Sequence, residues 1–264
     1  MSFLKKMLSS VGIGAATVDT EIDHVEAIPG EAITGTIYIK GGHSTQKINK
    51  IDLELFCNYF VEVTHTDDND EPYTEVVERQ HRLASYHLED SFEIHEDEEK
   101  ELSFSIPLPE NAPISISKTI CWLETNLDIP IALDPTDRDT IEVIPNTLQQ
   151  GLLEAMNTLG FQLNEAECEG SDKRQFGDLP FVQEFEFKPI SGEFIGRVKE
   201  VELVMKPEAD RLVLYMEIDR KARGLQGFFA EALDMDETNL KLIIEEDHCE
   251  QLPDLIANVI QQHC

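Results

Sequence analysis

The sequence predicts an all-β protein made of two β-sandwich domains, residues 1–145 and 146–264, with short helices at both termini. Three observations carry this expectation. Apolar and polar residues alternate along one short run after another from residue 15 to residue 144. Gly, Pro, Asn and Asp separate the runs, and no helical period intervenes. Pro145-Asn146 then breaks the pattern with a helical segment, beyond which strand-like runs resume.

At the start of the chain Phe3, Leu4, Met7, Leu8 and Val11 fall at helical spacing beside Lys5 and Lys6. The segment reads either as a membrane-surface helix or as a helix packed on the body of its own protein. So few apolar turns bind a bilayer weakly and the rest of the chain is anionic, which favours the second reading. Val18–Val25 is a strand, Ile28-Pro29-Gly30-Glu31 a turn, and Ile33–Ile39 a second strand ended by Gly41-Gly42. From Ile51 to Val63 the alternation is nearly unbroken through Leu53, Leu55, Cys57, Tyr59 and Val61, as in a long strand with one buried face. The acidic tip Asp67–Pro72 leads into Val76–Leu88, a strand or a pair of strands. Leu102–Leu108, Lys118–Leu127 with the single Trp122, and Thr140–Ile144 complete the first domain.

Thr147–Leu159 places Leu148, Leu152, Ala155, Met156 and Leu159 on one helical face, with Asn146 or Thr147 as N-cap and Gly160 as the stop. Strands follow at Phe181–Phe187, Val198–Met205, Leu212–Ile218 and Leu240–Ile244. Gly224–Leu233 reads as a short helix carrying Phe228 and Phe229, and Leu252–Ile260 as a closing amphipathic helix.

Composition narrows the function. Apolar residues are 41% of 264, enough for real cores. Lys and Arg total 21 against 53 Asp and Glu, a net charge of −32 that repels nucleic-acid phosphates and anionic headgroups. Five widely spaced cysteines, with no C-x-x-C pair, indicate free thiols in a reducing compartment. Ser9, Ser10, Gly12 and Gly14 break any secretory apolar region, and no run approaches the ~18 apolar residues of a membrane span. A cytoplasmic location is expected.

Motifs for chemistry are missing where they would be needed. Asp67, Asn69 and Glu71 alternate like the start of a calcium loop, but Pro72 stands where such a loop needs Gly and no bidentate Glu follows. His81, His87 and His95 lack metal-ligand spacing. There is no Gly-x-Ser-x-Gly elbow, no dinucleotide fingerprint and no phosphate-cradling loop. The sequence thus implies no enzyme, no cofactor and no metal.

Certain motifs are more specific in combination. Pro29-Gly30-Glu31 precedes the Gly35-containing strand, Phe104–Pro109 ends in Pro-Leu-Pro before Pro113-Ile114-Ser115, and Trp122–Asp128 ends in Leu-Asp. These features resemble arrestin-like domains. The opening Met-Ser-Phe-Leu-Lys-Lys, Gly12-Ile13-Gly14, Val18-Asp19-Thr20, Phe185–Pro189 and Asp219–Gly224 together resemble the bacterial sporulation-control proteins of the stage-zero M type. The resemblance spans residues 1 to about 245. It implies two arrestin-like domains, no known catalysis and a regulatory role in cell development.

An adaptor is therefore expected, binding other proteins, cytoskeletal or developmental, through sandwich edges and an inter-domain groove. The alternative is a membrane-peripheral protein held by the N-terminal helix. The contact candidates are Ile33, Thr36, Ile37, Tyr38 and Ile39, if their strand is an edge open to β-augmentation, which would also permit a homodimer. Arg220, Lys221 and Arg223 concentrate positive charge in an acidic chain. They read either as a dock for an acidic peptide or another copy, or as loop cations paired with nearby carboxylates.

Overall fold

The structure is a computed structural model and describes residues 14–67, 70–130, 134–171, 179–208, 210–219 and 239–263. The N-terminal segment Phe3–Val11, the cations Arg220, Lys221 and Arg223, and the segment Gly224–Leu233 lie outside the described residues.

In chain order the strands are β1 (Thr17–Ile22), β2 (Glu26–Ala27), β3 (Ala32–Lys40), β4 (Gln46–Ile48), β5 (Lys50–Thr66), β6 (Pro72–Glu89), β7 (Phe92–Ile94), β8 (Glu99–Pro107), β9 (Cys121–Asp128) and β10 (Thr136–Val143). Helix α1 (Thr147–Thr158) follows, then β11 (Phe161–Gly170), β12 (Phe181–Pro189), β13 (Glu200–Glu208), β14 (Arg211–Asp219) and β15 (Asn239–Glu245). A 3₁₀ turn (Glu246–Gln251) leads into α2 (Leu252–His263). The protein is all-β with two α-helices among the described residues.

Two units divide the chain. The first holds Met1–Cys57, Gln80–Ser115 and Ile120–Ile144; the second holds Asn58–Arg79, Ile116–Thr119 and Pro145–Cys264. The long strands β5 and β6 therefore change unit part-way along.

In the first unit β1, β3 and β8 form one antiparallel sheet; β5, β9 and β10 pair antiparallel in another, to which β2 adds in parallel beside β10, and β4 pairs with β7. Alternation puts Ile33, Ile37 and Ile39 of β3 and Leu53, Leu55, Leu123, Leu127, Ile141 and Val143 into the core, all at most 3% exposed. Burial of each such side chain contributes roughly 1.5–3 kcal/mol. The sheets are also tied by polar bonds: Thr20 and Thr125 share a hydroxyl–hydroxyl hydrogen bond of 2.7 Å, and the Thr20 amide donates to Asp137 Oδ2 at 2.7 Å.

The Pro29-Gly30 motif has a local cause. Glu31 N donates to Ile28 O at 3.0 Å, and Gly30 has φ of 90°. Proline at the first central position and a positive-φ glycine at the second satisfy a type II turn. Gly35 answers a different need, since a Cβ there would lie 2.4 Å from Glu21 O and 2.8 Å from the Phe104 ring.

In the second unit β11 to β15 form an antiparallel meander. Phe185, Phe187, Val201, Leu203, Leu214 and Met216 are buried on alternate positions, and α1 packs on β11, β14 and α2. Helix α1 begins with a capping box, in which Asn146 Oδ1 accepts from Gln149 N and Gln149 Oε1 accepts from Asn146 N, both at 3.0 Å. Gly160, at φ of 86°, takes the left-handed conformation just past its end.

Candidate functional site

The expectation of an open edge at β3 does not hold. Strand β3 is the middle strand of its sheet, paired residue by residue with β1 on one side and β8 on the other. Its backbone donors and acceptors are therefore committed to those ladders. Ile33, Ile37 and Ile39 belong to the core, and only Thr36 and Tyr38 of the five candidates are half-exposed. A nine-residue strand rich in β-branched residues is as typical of a central strand as of an edge, and the core-facing isoleucines point to the former.

The free edge lies elsewhere. Strand β6 is 18 residues long and pairs with β5 alone among the described residues. Its Pro72–Arg79 stretch is exposed at nearly every position, with Tyr73 and Val76 52% and 62% exposed. The stretch is held flat against β5 by specific contacts. Asn58 Nδ2 donates to Glu78 Oε1 at 2.8 Å, and His65 stacks on Tyr73 with ring centres 5.3 Å apart while pairing with Glu75 at 3.6 Å. The sequence held a signal for this edge: Glu75, Glu78, Arg79 and Arg82 put charge on both faces of one strand, as edge strands do and buried ones do not.

A groove of about 270 Å³ in the first unit runs between Ile28, Ile33 and Ile144 on its apolar side and His24, Glu26 and Glu31 on its polar side. It falls below the ~300–1,000 Å³ of small-molecule sites. Among the described residues no hydrogen bond joins His24 to either carboxylate, so no acid–base pair is assembled there.

The other reactive groups are committed to structure. Cys57, Cys121 and Cys168 are buried free thiols, and burial pushes Cys121 up to about 12, far from a reactive thiolate. His87 lies between Asp52 and Asp90 at 3.0 and 3.3 Å, while His95 shares a hydrogen bond with Thr45 at 3.2 Å. The Asp67 carboxylate accepts from the Glu71 amide at 2.9 Å, closing a hairpin tip. One cluster among the described residues has metal-ligand spacing: Glu184, Glu186 and Glu202. Sequence reasoning passed over it because carboxylates are everywhere in this chain.

Comparison with known proteins bears on the resemblance to the sporulation-control proteins. The profile described as "SpoOM protein" matches residues 4–222. The chain is 36% identical over 266 residues to the sporulation-control protein spo0M of Bacillus subtilis (strain 168), covering 100% of this chain and 99% of that one. The chain belongs to the SpoOM protein family. The crystal structure of Spo0M from Bacillus subtilis superposes on this SpoOM protein with a TM-score of 0.81 at 35% identity, covering 96% of this chain and all of the other. Among the described residues of this SpoOM protein no helix is long and apolar enough to cross a membrane.

Proposed function

We propose that this chain is a non-catalytic regulatory protein of the sporulation-control type that acts in the cytoplasm by binding other proteins. The exposed edge of β6 is the observation that carries the binding part of this reading. An extended segment laid beside Pro72–Arg79 gains main-chain hydrogen bonds for affinity, with Tyr73 and Val76 offering side-chain contacts for selection. The regulatory part is supported by 36% identity along the whole chain to a sporulation-control protein. Buried free thiols at Cys57, Cys121 and Cys168 support a reducing location. The division into two units, each rich in antiparallel strands, supports the two-domain arrestin-like plan. The same edge would join two copies of the chain, which is the route to a homodimer.

The test is in-cell cross-linking and recovery with wild type, Val76→Pro and Val77→Pro. Adjacent residues of a strand direct their N–H groups to opposite sides, so one substitution removes an outward donor and the other an inward one. The outward variant should keep the wild-type circular dichroism and lose its partners. If both variants fold and recover the wild-type set, β6 is not the docking edge.

A further inference from the structure

The meander of the second unit has two dissimilar faces. Along β12, Phe181, Phe185 and Phe187 alternate with Val182, Glu184, Glu186 and Lys188. Along β13, Val201, Leu203 and Met205 alternate with Glu200, Glu202 and Val204. The register then lines up the acids: Glu186 is directly opposite Glu202, and Glu202 is directly opposite Glu217 on β14. Glu184 stands two residues along β12 on the same face, opposite Val204. Like charges placed directly opposite across strands destabilise a sheet, and burial raises the cost.

These acids are buried. Glu184, Glu200, Glu202 and Glu217 are 5, 4, 4 and 6% exposed. The cations on this face sit at its margins. Lys188 Nζ is 3.8 Å from Glu200 and 4.0 Å from Glu186, Lys118 reaches Glu165 and Glu167 at 3.2 and 3.0 Å, and Lys206 reaches Glu208 at 3.2 Å. Among the described residues no cation lies within ion-pair distance of Glu184, and its Oε2 is fully buried with no hydrogen-bond partner. A carboxylate oxygen in that condition is aimed at something other than the described protein atoms.

Spacing says what would fit. One carboxylate oxygen from each of Glu184, Glu186 and Glu202 can be chosen so that all lie within 4.8 Å of one another. Calcium binds oxygens at about 2.3–2.6 Å and accepts several carboxylates at once, whereas magnesium keeps most of its waters and is held by one or two carboxylates. Carboxylates alone, without imidazole or thiolate, select a hard cation. We propose that Glu184, Glu186 and Glu202 form a binding site for one calcium ion, with their carboxylates as the protein ligands.

One further fact agrees with this. Glu186 is half-buried, which leaves a route for a hydrated ion from solvent. No calcium-loop spacing marks these residues in the sequence, because in a sheet the ligands come from register between strands and not from spacing along one loop.

The test is calorimetric titration of chelator-treated full-length protein with calcium chloride, followed by thermal melts with and without the ion. Saturation at one ion per chain below about 1 mM is expected, with a melting point that rises on calcium addition. Glu184→Gln and Glu186→Gln should each weaken binding at least tenfold and abolish that rise, while the exposed control Glu93→Gln/Glu96→Gln leaves both unchanged. Glu186→Gln, at the more open position, keeps the test decisive if Glu184→Gln fails to fold. Uptake that never saturates, or that is the same in all variants, would show only diffuse attraction to an acidic surface and overturn the proposal. Tighter binding of magnesium than of calcium would overturn it too.

Discussion

The guanidinium carbon of Arg138 lies 3.7 Å from the centre of the Trp122 ring. Trp122 is in turn stacked on Phe56, its direct partner across β5 and β9, with ring centres 5.6 Å apart and planes 11° from parallel. Trp122 points to the opposite face of β9 from Thr125, which bonds across the sandwich to Thr20. It is nonetheless only 1% exposed. The single tryptophan is thus buried on the outer face of a sheet, partly beneath a cation. Arg138→Ala should lower stability by roughly 1–2 kcal/mol in urea denaturation, and Arg138→Lys should recover only part of it because the planar stack is lost. Trp122→Phe should cost less than the lost area suggests, because the buried indole N–H has no hydrogen-bond partner among the described residues. An Arg138→Ala effect within about 0.5 kcal/mol, the range of ordinary surface changes, would make the stack incidental.

Two histidines six residues apart on β6 should titrate in opposite directions. Hydrogen bonds that the protonated ring donates to Asp52 first and Asp90 second hold His87 above the usual imidazole range. Burial first, and the Arg82 charge second, hold His81 below it. For His87 the folded pKa exceeds the unfolded one, so its contribution to stability is complete below the unfolded value and disappears as pH rises through the folded value. For His81 the folded pKa is the lower, so stability falls as pH drops from the unfolded value through the folded one. Proton NMR of the imidazoles should show the two midpoints on opposite sides of about 6.5. Asp52→Asn should bring that of His87 down while leaving His81 in place. Coincident midpoints would refute both placements.

Gly35 and Gly151 make a paired test of packing against propensity. A methyl group at Gly35 meets backbone, the Glu21 carbonyl at 2.4 Å, so β1 and β3 would have to separate. Gly35→Ala should therefore destabilise by roughly 1–3 kcal/mol. Gly151 is inside α1, where an added Cβ would approach only the Leu252 side chain, at 3.4 Å. Gly151→Ala should gain about 0.5–1 kcal/mol from helix propensity. Thermal melts of the two variants read both signs, and a neutral Gly35→Ala would mean that β1 does not sit as described.

What the sequence displayed, and what it hid, follows from range. Alternation and punctuation are local, so the long β5, the turn at Pro29-Gly30 and helix α1 with its cap were all legible. Strand β11 was not. Its ladder shifts between Leu163 and Glu165, so Phe161 and Leu163 keep one parity while Ala166 and Cys168 keep the other. A single bulge was enough to erase the period-two pattern. Whether a strand is central or at an edge is a property of its neighbours, which is why the sequence left an edge at β3 open while the structure puts the edge at β6. The cluster of Glu184, Glu186 and Glu202 is less local still. Nothing in the order of residues along β12 reveals which carboxylate of β13 stands opposite.

The cap of α1 gives a quantitative test of that local legibility. Asn146 and Gln149 each satisfy the other's backbone amide, so the two side chains act as one unit. Asn146→Ala should cost about 1 kcal/mol, and Gln149→Ala a comparable amount because Gln149 is also buried, at 3% exposure. Removing both should cost less than the sum, with a coupling of at least about 0.5 kcal/mol in a double-mutant cycle. Strict additivity would mean that the reciprocal bonds do not form together in solution. The first turn of α1 carries no acidic residue, although its amide ends favour negative charge. Asn146→Asp keeps the accepting oxygen and adds that charge, and should raise stability by a few tenths of a kcal/mol at low salt. The gain should shrink as salt is added, because the interaction lies at the helix surface and is screened. A gain that is independent of salt would assign it to geometry and not to the helix dipole.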